Sequence, residues 1–62
     1  MDKIEVQVIG TDGNVFALIA LVSRALKDAG QRDGAAEMAH RVMGAGSYDE
    51  ALTIMREYAN LV

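Results

Sequence analysis

The spacing of apolar and polar positions changes from a period of two to a helical period near residue 14. Residues 3–9 alternate: Ile4, Val6 and Val8 face one way, and charged or amide side chains face the other. β-Branched residues at every second position are typical of a strand with one buried face. The eight residues 15–22 are all apolar, and the apolar spacing that follows is helical. The pattern therefore predicts a short N-terminal strand that turns into a helix.

The first helix is expected at about residues 14–29, and apolar positions extend almost around its circumference. Such a helix is typical of the centre of a fold. Its main stripe has helical spacing and consists of Val15, Ile19, Val22, Leu26 and Ala29. Either Asp12 or Asn14 is expected to cap the helix, because a short side-chain oxygen accepts hydrogen bonds from the free amides of the first turn. Gly30 suits the left-handed position that ends many helices.

Two further helices are expected in the second half of the chain. The second covers roughly residues 32–43, and its inner stripe is Ala35, Met38, Ala39, Val42 and Met43. The third opens at Ser47, which is followed three residues later by Glu50. This spacing predicts a capping box, in which each side chain accepts a hydrogen bond from the backbone amide of the other residue. Two helical rows follow: Tyr48, Leu52 and Met55 with Tyr58 or Ala59, and beside it Ala51, Ile54 and Tyr58.

The tail, residues 59–62, has two interpretations: it extends the third helix, or it forms a short strand. A lone N-terminal strand would leave both of its edges unpaired, which natural proteins avoid. We therefore expect that strand to pair either with the tail or with the same strand of a second copy. The sequence predicts a single α+β domain over residues 1–62, with one N-terminal strand, three helices and a possible short C-terminal strand.

Composition favours self-association. A chain of 62 residues buries only about 60% of the surface that its unfolded form exposes, so small domains usually need a disulfide, a metal or a partner. The chain has no cysteine, and no set of carboxylates is spaced to complete a zinc site with its single histidine, His40. No metal and no cofactor are therefore expected. The apolar content of 52% is high for this length, and we interpret it as a sign of a homodimer.

Charge and hydropathy argue against nucleic acid and membrane partners. The net charge is −3, and nucleic-acid binding depends mainly on neutralising phosphates. The second and third helices are spaced like a helix-turn-helix, but the third begins with Tyr48, Asp49 and Glu50, whose acidic groups would repel DNA. The apolar run at 15–22 is well short of the roughly 20 residues that span a bilayer. The N-terminal residues alternate in charge and lack the apolar region of a signal peptide, so a cytoplasmic protein is expected.

The glycine-rich junction supplies the candidate ligand-binding residues Thr11, Asp12, Gly13 and Asn14. Backbone amides at a helix N-terminus attract anions, and a nucleotide or another anion is the ligand class to consider. The junction lacks the spacing and the lysine of a P-loop, and it lacks the later ligands of a calcium loop. Asp12 also places a negative charge where an anion would lie. A structural turn is therefore favoured over a ligand site.

No catalytic residue is expected. His40 lies among alanines beside Arg41, and a catalytic role would require a nucleophile or carboxylate positioned nearby. Glu37 is close enough along the helix to pair with His40, but such pairs are commonly surface hydrogen bonds. Met38, Met43 and Met55 coincide with the apolar stripes, so a core role is favoured over an adaptable binding face.

Several segments resemble a group of small uncharacterised bacterial and phage or mobile-element proteins. The segments are Gly-Thr-Asp-Gly-Asn-Val-Phe at 10–16, Val-Ser-Arg-Ala-Leu at 22–26, Ala-Gly at 29–30 and Ser-Tyr-Asp-Glu-Ala-Leu at 47–52. The chain departs from that pattern at 47–50 and in its more alanine-rich middle helix. The resemblance implies a compact accessory protein of mobile-element origin, and it transfers no catalytic or binding residue.

The leading functional hypothesis is a non-enzymatic protein-interaction or regulatory module that binds another protein and forms a homodimer. The alternative is a module that binds a small ligand, an anion or a nucleotide, through residues 10–14. DNA binding through the third helix is the weakest of the three hypotheses.

Overall fold

The structure is a computed structural model that describes residues 3–10 and 13–62. Strand β1 (Ile4–Val6) is followed by helices α1 (Val15–Asp28), α2 (Arg32–Met43) and α3 (Tyr48–Arg56), and strand β2 (Ala59–Leu61) closes the chain. This order confirms the α+β class and the strand–three-helix–strand arrangement. The tail forms a strand and does not extend α3.

β1 and β2 form a two-stranded parallel sheet in which Ile4 is opposite Ala59 and Val6 is opposite Leu61. Beyond the strands, the Val62 amide donates to the Val6 carbonyl at 2.9 Å, and the Val8 amide donates to the Val62 carbonyl at 2.7 Å. Parallel neighbours need a long crossover connection, and the three helices provide it. Of the two pairings expected for β1, the structure contains the one with the tail.

Both ends of α1 follow from local chemistry. The Asn14 side chain accepts a hydrogen bond from the Phe16 amide at 2.8 Å, so Asn14 is the cap; Asp12, the other candidate, lies outside the described residues. At the far end, Gly30 has a φ of +81°. The Gly30 amide donates to the Lys27 carbonyl, and the Gln31 amide donates to the Leu26 carbonyl at 2.8 Å. This pair of bonds is the Schellman arrangement, which satisfies carbonyls of the last helical turn.

The start of α3 differs in one bond from the expected capping box. The Ser47 hydroxyl accepts from the Glu50 amide at 3.1 Å, as predicted. The Glu50 carboxylate, however, accepts from the Gly46 amide at 3.0 Å, one residue before the serine whose amide it was expected to bind. The Glu50 carboxylate therefore binds the Gly46 amide in place of the Ser47 amide. Ser47 is still the N-cap of α3, as predicted.

The core lies where α1 contacts α2, α3 and β1, which agrees with a central first helix. Its largest fully buried side chains are Val22, Leu26, Met38 and Met55. The remaining buried core residues are Val6, Leu18, Ala35, Val42, Ala51, Ile54 and Ala59.

Three details of the predicted core are wrong. α1 is not enclosed on all sides, because Phe16, Ala20 and Ala29 are exposed. Met43 was placed in the inner stripe of α2, but it is exposed at the last position of the helix. Tyr48 was placed in a core row of α3, but it also lies at the surface. Phe16, Ala29, Met43 and Tyr48 lie at or near helix ends, whereas Ala20 lies in the middle of α1 on a side that no described element covers.

Candidate binding surface

The large exposed hydrophobic residues of the described chain are concentrated in one region. They expose 46–76% of their areas and are Ile9, Phe16, Met43, Tyr48 and Val62. All five line two depressions that share Tyr48, with volumes of about 300 Å³ and about 310 Å³. We call the two depressions the first and the second groove, and the five residues together the apolar surface. Scattered exposed hydrophobics are ordinary in proteins, whereas a cluster marks a contact site.

The first groove lies between the start of α1 and the end of α2. Phe16 and Ile19 line it from successive turns of α1, and Val42 and Met43 line it from the last turn of α2. Residues 45–47 line the groove on the side of α3. Of the described residues that line this groove, none carries a charge.

The second groove lies between the end of the sheet and α3. Its lining includes Ile9, Leu52, Leu61 and Val62. The amides of Val8 and Ile9 both donate to the Val62 carbonyl, at 2.7 Å and 3.2 Å, and these bonds hold the two chain segments together beyond the strands.

Arg56 is the one charged residue among the described residues that line either groove. It lies at the end of α3, where its backbone carbonyl accepts a hydrogen bond from the Lys3 side chain at 2.6 Å. Within the described residues its guanidinium group has no carboxylate partner. Among the described residues, Arg56 is therefore the one cation that lines the grooves.

Tyr48 joins the two grooves. It follows the Ser47 cap directly, and its hydroxyl donates to the Gly13 carbonyl at 2.7 Å. This bond ties the start of α3 to the residue that precedes the α1 cap. The hydrogen bond and the Ser47 cap thereby hold Tyr48 in place between the two helix starts, where it lines both grooves.

The predicted ligand residues divide into two pairs. Thr11 and Asp12 lie outside the described residues. The Gly13 carbonyl accepts from Tyr48, and the Asn14 side chain accepts from the first turn of α1. Gly13 also lines the second groove, so this part of the junction supports the apolar surface. A ligand site at residues 11–14 stays a prediction.

Sequence reasoning missed a polar cluster whose residues line neither groove. Arg41 donates to the two Glu57 carboxylate oxygens at 2.8 Å and 3.0 Å, and to the Tyr58 hydroxyl at 3.0 Å. The Arg41 guanidinium also lies 5.7 Å from the centre of the Tyr58 ring. The hydrogen bonds between the two side chains favour both charged forms: they raise the pKa of Arg41 and lower the pKa of the Glu57 carboxyl. These contacts join Arg41 of α2 to Glu57 and Tyr58 after α3, so the cluster stabilises the fold.

The structure gives few other leads to function. His40 is exposed, and within the described ranges no three histidine or acidic side chains are grouped to hold a metal ion. Each described helix falls short of the length and apolar character needed to traverse a bilayer. Comparisons with protein-family models, curated proteins and solved structures gave no match. The apolar surface is therefore the feature on which a functional argument rests.

Proposed function

We propose that this protein is a non-enzymatic interaction module that binds another protein chain through the apolar surface. The observation that supports the proposal is the collection of the large exposed hydrophobics around two adjoining grooves. In a chain of 62 residues, a chance distribution of surplus apolar residues would place them on several sides.

The size of the surface supports the proposal. At the exposures given above, the five side chains present on the order of 600 Å² to solvent, taking roughly 150–250 Å² for a large side chain. The largest apolar patch on a typical monomer is about 300–600 Å² and is often functional. A standard protein interface covers about 800 Å² on each partner. The apolar surface is therefore large for a monomer and close to the size of one half of an interface.

The chemistry of the surface supports a protein partner over a small polar ligand. Aromatic residues and methionine are enriched at protein interfaces, while lysine and acidic residues are depleted there. Three of the five residues of this surface, Phe16, Tyr48 and Met43, are of these enriched types, and the described lining contains no carboxylate. Two open grooves whose described lining carries one charged side chain, Arg56, offer few of the convergent polar groups that orient a small ligand.

Site-specific photo-cross-linking tests the proposal in living source cells. The photoreactive amino acid p-benzoylphenylalanine replaces Phe16, which preserves an aromatic ring at the surface. The matched control places the same amino acid at Glu37, which is exposed on α2 and lines neither groove. We expect irradiation to join the protein to another protein chain from position 16 and not from position 37. Equal yields of adduct at the two positions, or none at either, would overturn the proposal.

A further inference from the structure

We infer that the chain that covers the apolar surface is a second copy of this protein, in a dimer with two-fold symmetry. The inference rests on the proposed function and names the partner of the same surface. Three observations support it: the area of the surface, its shape and its charge.

The area is sufficient for a specific dimer. A surface of on the order of 600 Å² on each copy removes about 1,200 Å² from water when two copies meet, the lower end of the range for stable, specific interfaces. The partly buried apolar residues that line the grooves, among them Val15, Ile19 and Leu52, add to this area. Contact between the two surfaces would thus bury the exposed hydrophobics of both copies at once.

The shape is suited to contact between identical surfaces. In a two-fold interface the same patch must offer both the projecting groups and the recesses that receive them. Phe16 and Met43 each expose about two thirds of their area at the edge of the first groove. Each groove has a volume near 300 Å³, the lower limit for pockets that hold small ligands and enough for a large side chain. The surface therefore supplies both halves of the contact.

The charge distribution also favours this face for self-contact. A chain with a net charge of −3 repels its own copy, and like charges placed opposite one another across an interface are costly. The described lining of the two grooves contains no carboxylate and one cation, Arg56. Two copies that meet here would bury no described acidic group. Added salt should then strengthen the dimer, because it screens the repulsion between the two acidic bodies.

Sedimentation equilibrium over a range of protein concentrations tests the inference. We expect the apparent mass to rise from 6.7 kDa to twice that value as the concentration increases. Met43→Asp introduces a charge into the surface at an exposed helix end, and it should raise the dissociation constant of the dimer by about 30-fold or more. Ala36→Asp is the matched control, because Ala36 is exposed on the same helix and lines neither groove. It should leave the dissociation constant within about threefold of the original, as expected for a site outside the contact.

A second variant keeps the test valid if Met43→Asp does not fold. Phe16→Ser removes the largest projecting ring without adding a charge, and circular dichroism confirms that each variant retains its helices. A mass that stays at 6.7 kDa up to millimolar concentration overturns the inference. The inference is also overturned if Met43→Asp and Phe16→Ser both fold and both form a dimer with the same dissociation constant as Ala36→Asp.

The two proposals fail in distinguishable ways. If the chain is monomeric but position 16 cross-links to a protein of a different mass, the dimer is wrong and the interaction module stands. If the chain is monomeric and position 16 gives no adduct, both proposals are wrong. An adduct of twice the 6.7 kDa mass from position 16 supports both.

Discussion

Two methionines on the same helix provide a sharp test of the structure. The apolar spacing of α2 places both Met38 and Met43 in its inner stripe, whereas the structure buries Met38 completely and leaves 66% of Met43 exposed. Replacing each with alanine makes the same chemical change in both places. Alanine and methionine are both good helix formers, so helix propensity largely cancels in the comparison.

The two substitutions should differ severalfold in their effect on the free energy of unfolding. Met38→Ala removes three heavy atoms from a fully buried site and leaves a cavity, which costs about 2–5 kcal/mol. Met43→Ala removes atoms that are mostly in water already, and surface changes of this kind stay within about 0.5 kcal/mol. A domain of this length has a total stability of roughly 3–9 kcal/mol. Met38→Ala therefore removes a large fraction of the stability, and Met43→Ala removes very little.

Urea unfolding followed by circular dichroism measures the difference. The protein concentration should be low enough that the chain is monomeric, because dimer formation would add a contribution from Met43. Equal slopes of the unfolding free energy against urea would show that the two variants expose similar areas on unfolding. Similar midpoints for the two variants would refute the reasoning, since they would mean that both methionines are equally buried.

Three further predictions concern the core, a cap and the polar cluster. Val22→Asp should leave the chain unfolded at 25 °C, because Val22 has no exposed surface and an unpaired buried charge is costly; Ala20→Asp, on an exposed position of the same helix, should remain folded. Ser47→Ala should cost about 1 kcal/mol through the lost cap, a fall in melting temperature of roughly 4–8 °C. Glu57→Gln should destabilise the protein at pH 7; because the folded state lowers the pKa of Glu57, this difference should begin to shrink as the pH falls below the ordinary carboxyl pKa of 4.5 and vanish only below the lowered pKa of the folded state.

Each of these predictions has a clear contrary result. A cooperative melt of Val22→Asp close to that of the original protein would show that α1 is not central. An unchanged melt of Ser47→Ala would argue against a helix start at that residue. A destabilisation by Glu57→Gln that stays constant from pH 7 to pH 3 would show that the pairing with Arg41 does not contribute through the carboxylate charge.

The elements were predictable because their signals are local. Alternation defines β1, and a side-chain oxygen in the right place starts α1 and α3. Gly30 marks the end of α1 because the left-handed conformation found there is easily adopted by glycine. Each of these signals depends on residues within a few positions of one another. The partner of β1 required a choice between the tail and a second copy, which the sequence left open.

The buried face of α1 was only partly predictable. Its apolar positions extend almost around the helix, so their spacing gives no single direction for the core. Burial falls on Leu18, Val22 and Leu26, a row at intervals of four, while the predicted stripe began at Val15 and Ile19, which are only half-buried. The position of α2 and of the sheet decides which row is covered. Those positions depend on tertiary packing, which the local sequence pattern of α1 does not contain.

The apolar surface was missed for the same reason, although composition gave a sign of it. The high apolar content predicted an unsatisfied surface somewhere, but not its place. The cluster is assembled from residues that are far apart in the chain, Ile9 and Phe16 near the start, Met43 and Tyr48 in the middle, and Val62 at the last position of the sequence. Only the parallel return of the tail to β1 and the folding of α2 back on α1 bring them together. The Arg41–Glu57 pair was missed because its two residues are 16 positions apart.

The small size of the fold explains why an apolar surface of this kind is present. A run of eight apolar residues on one helix requires neighbours on most of its circumference, and the described residues provide two other helices and a short two-stranded sheet. Burial along α1 is restricted to the row Leu18, Val22 and Leu26, and Phe16 in the first turn is exposed beside Met43 in the first groove. Stability alone would favour polar residues at such an uncovered position, since exposed apolar area invites aggregation. A phenylalanine there, beside an exposed methionine and the hydrogen-bonded ring of Tyr48, is consistent with a surface that another chain covers.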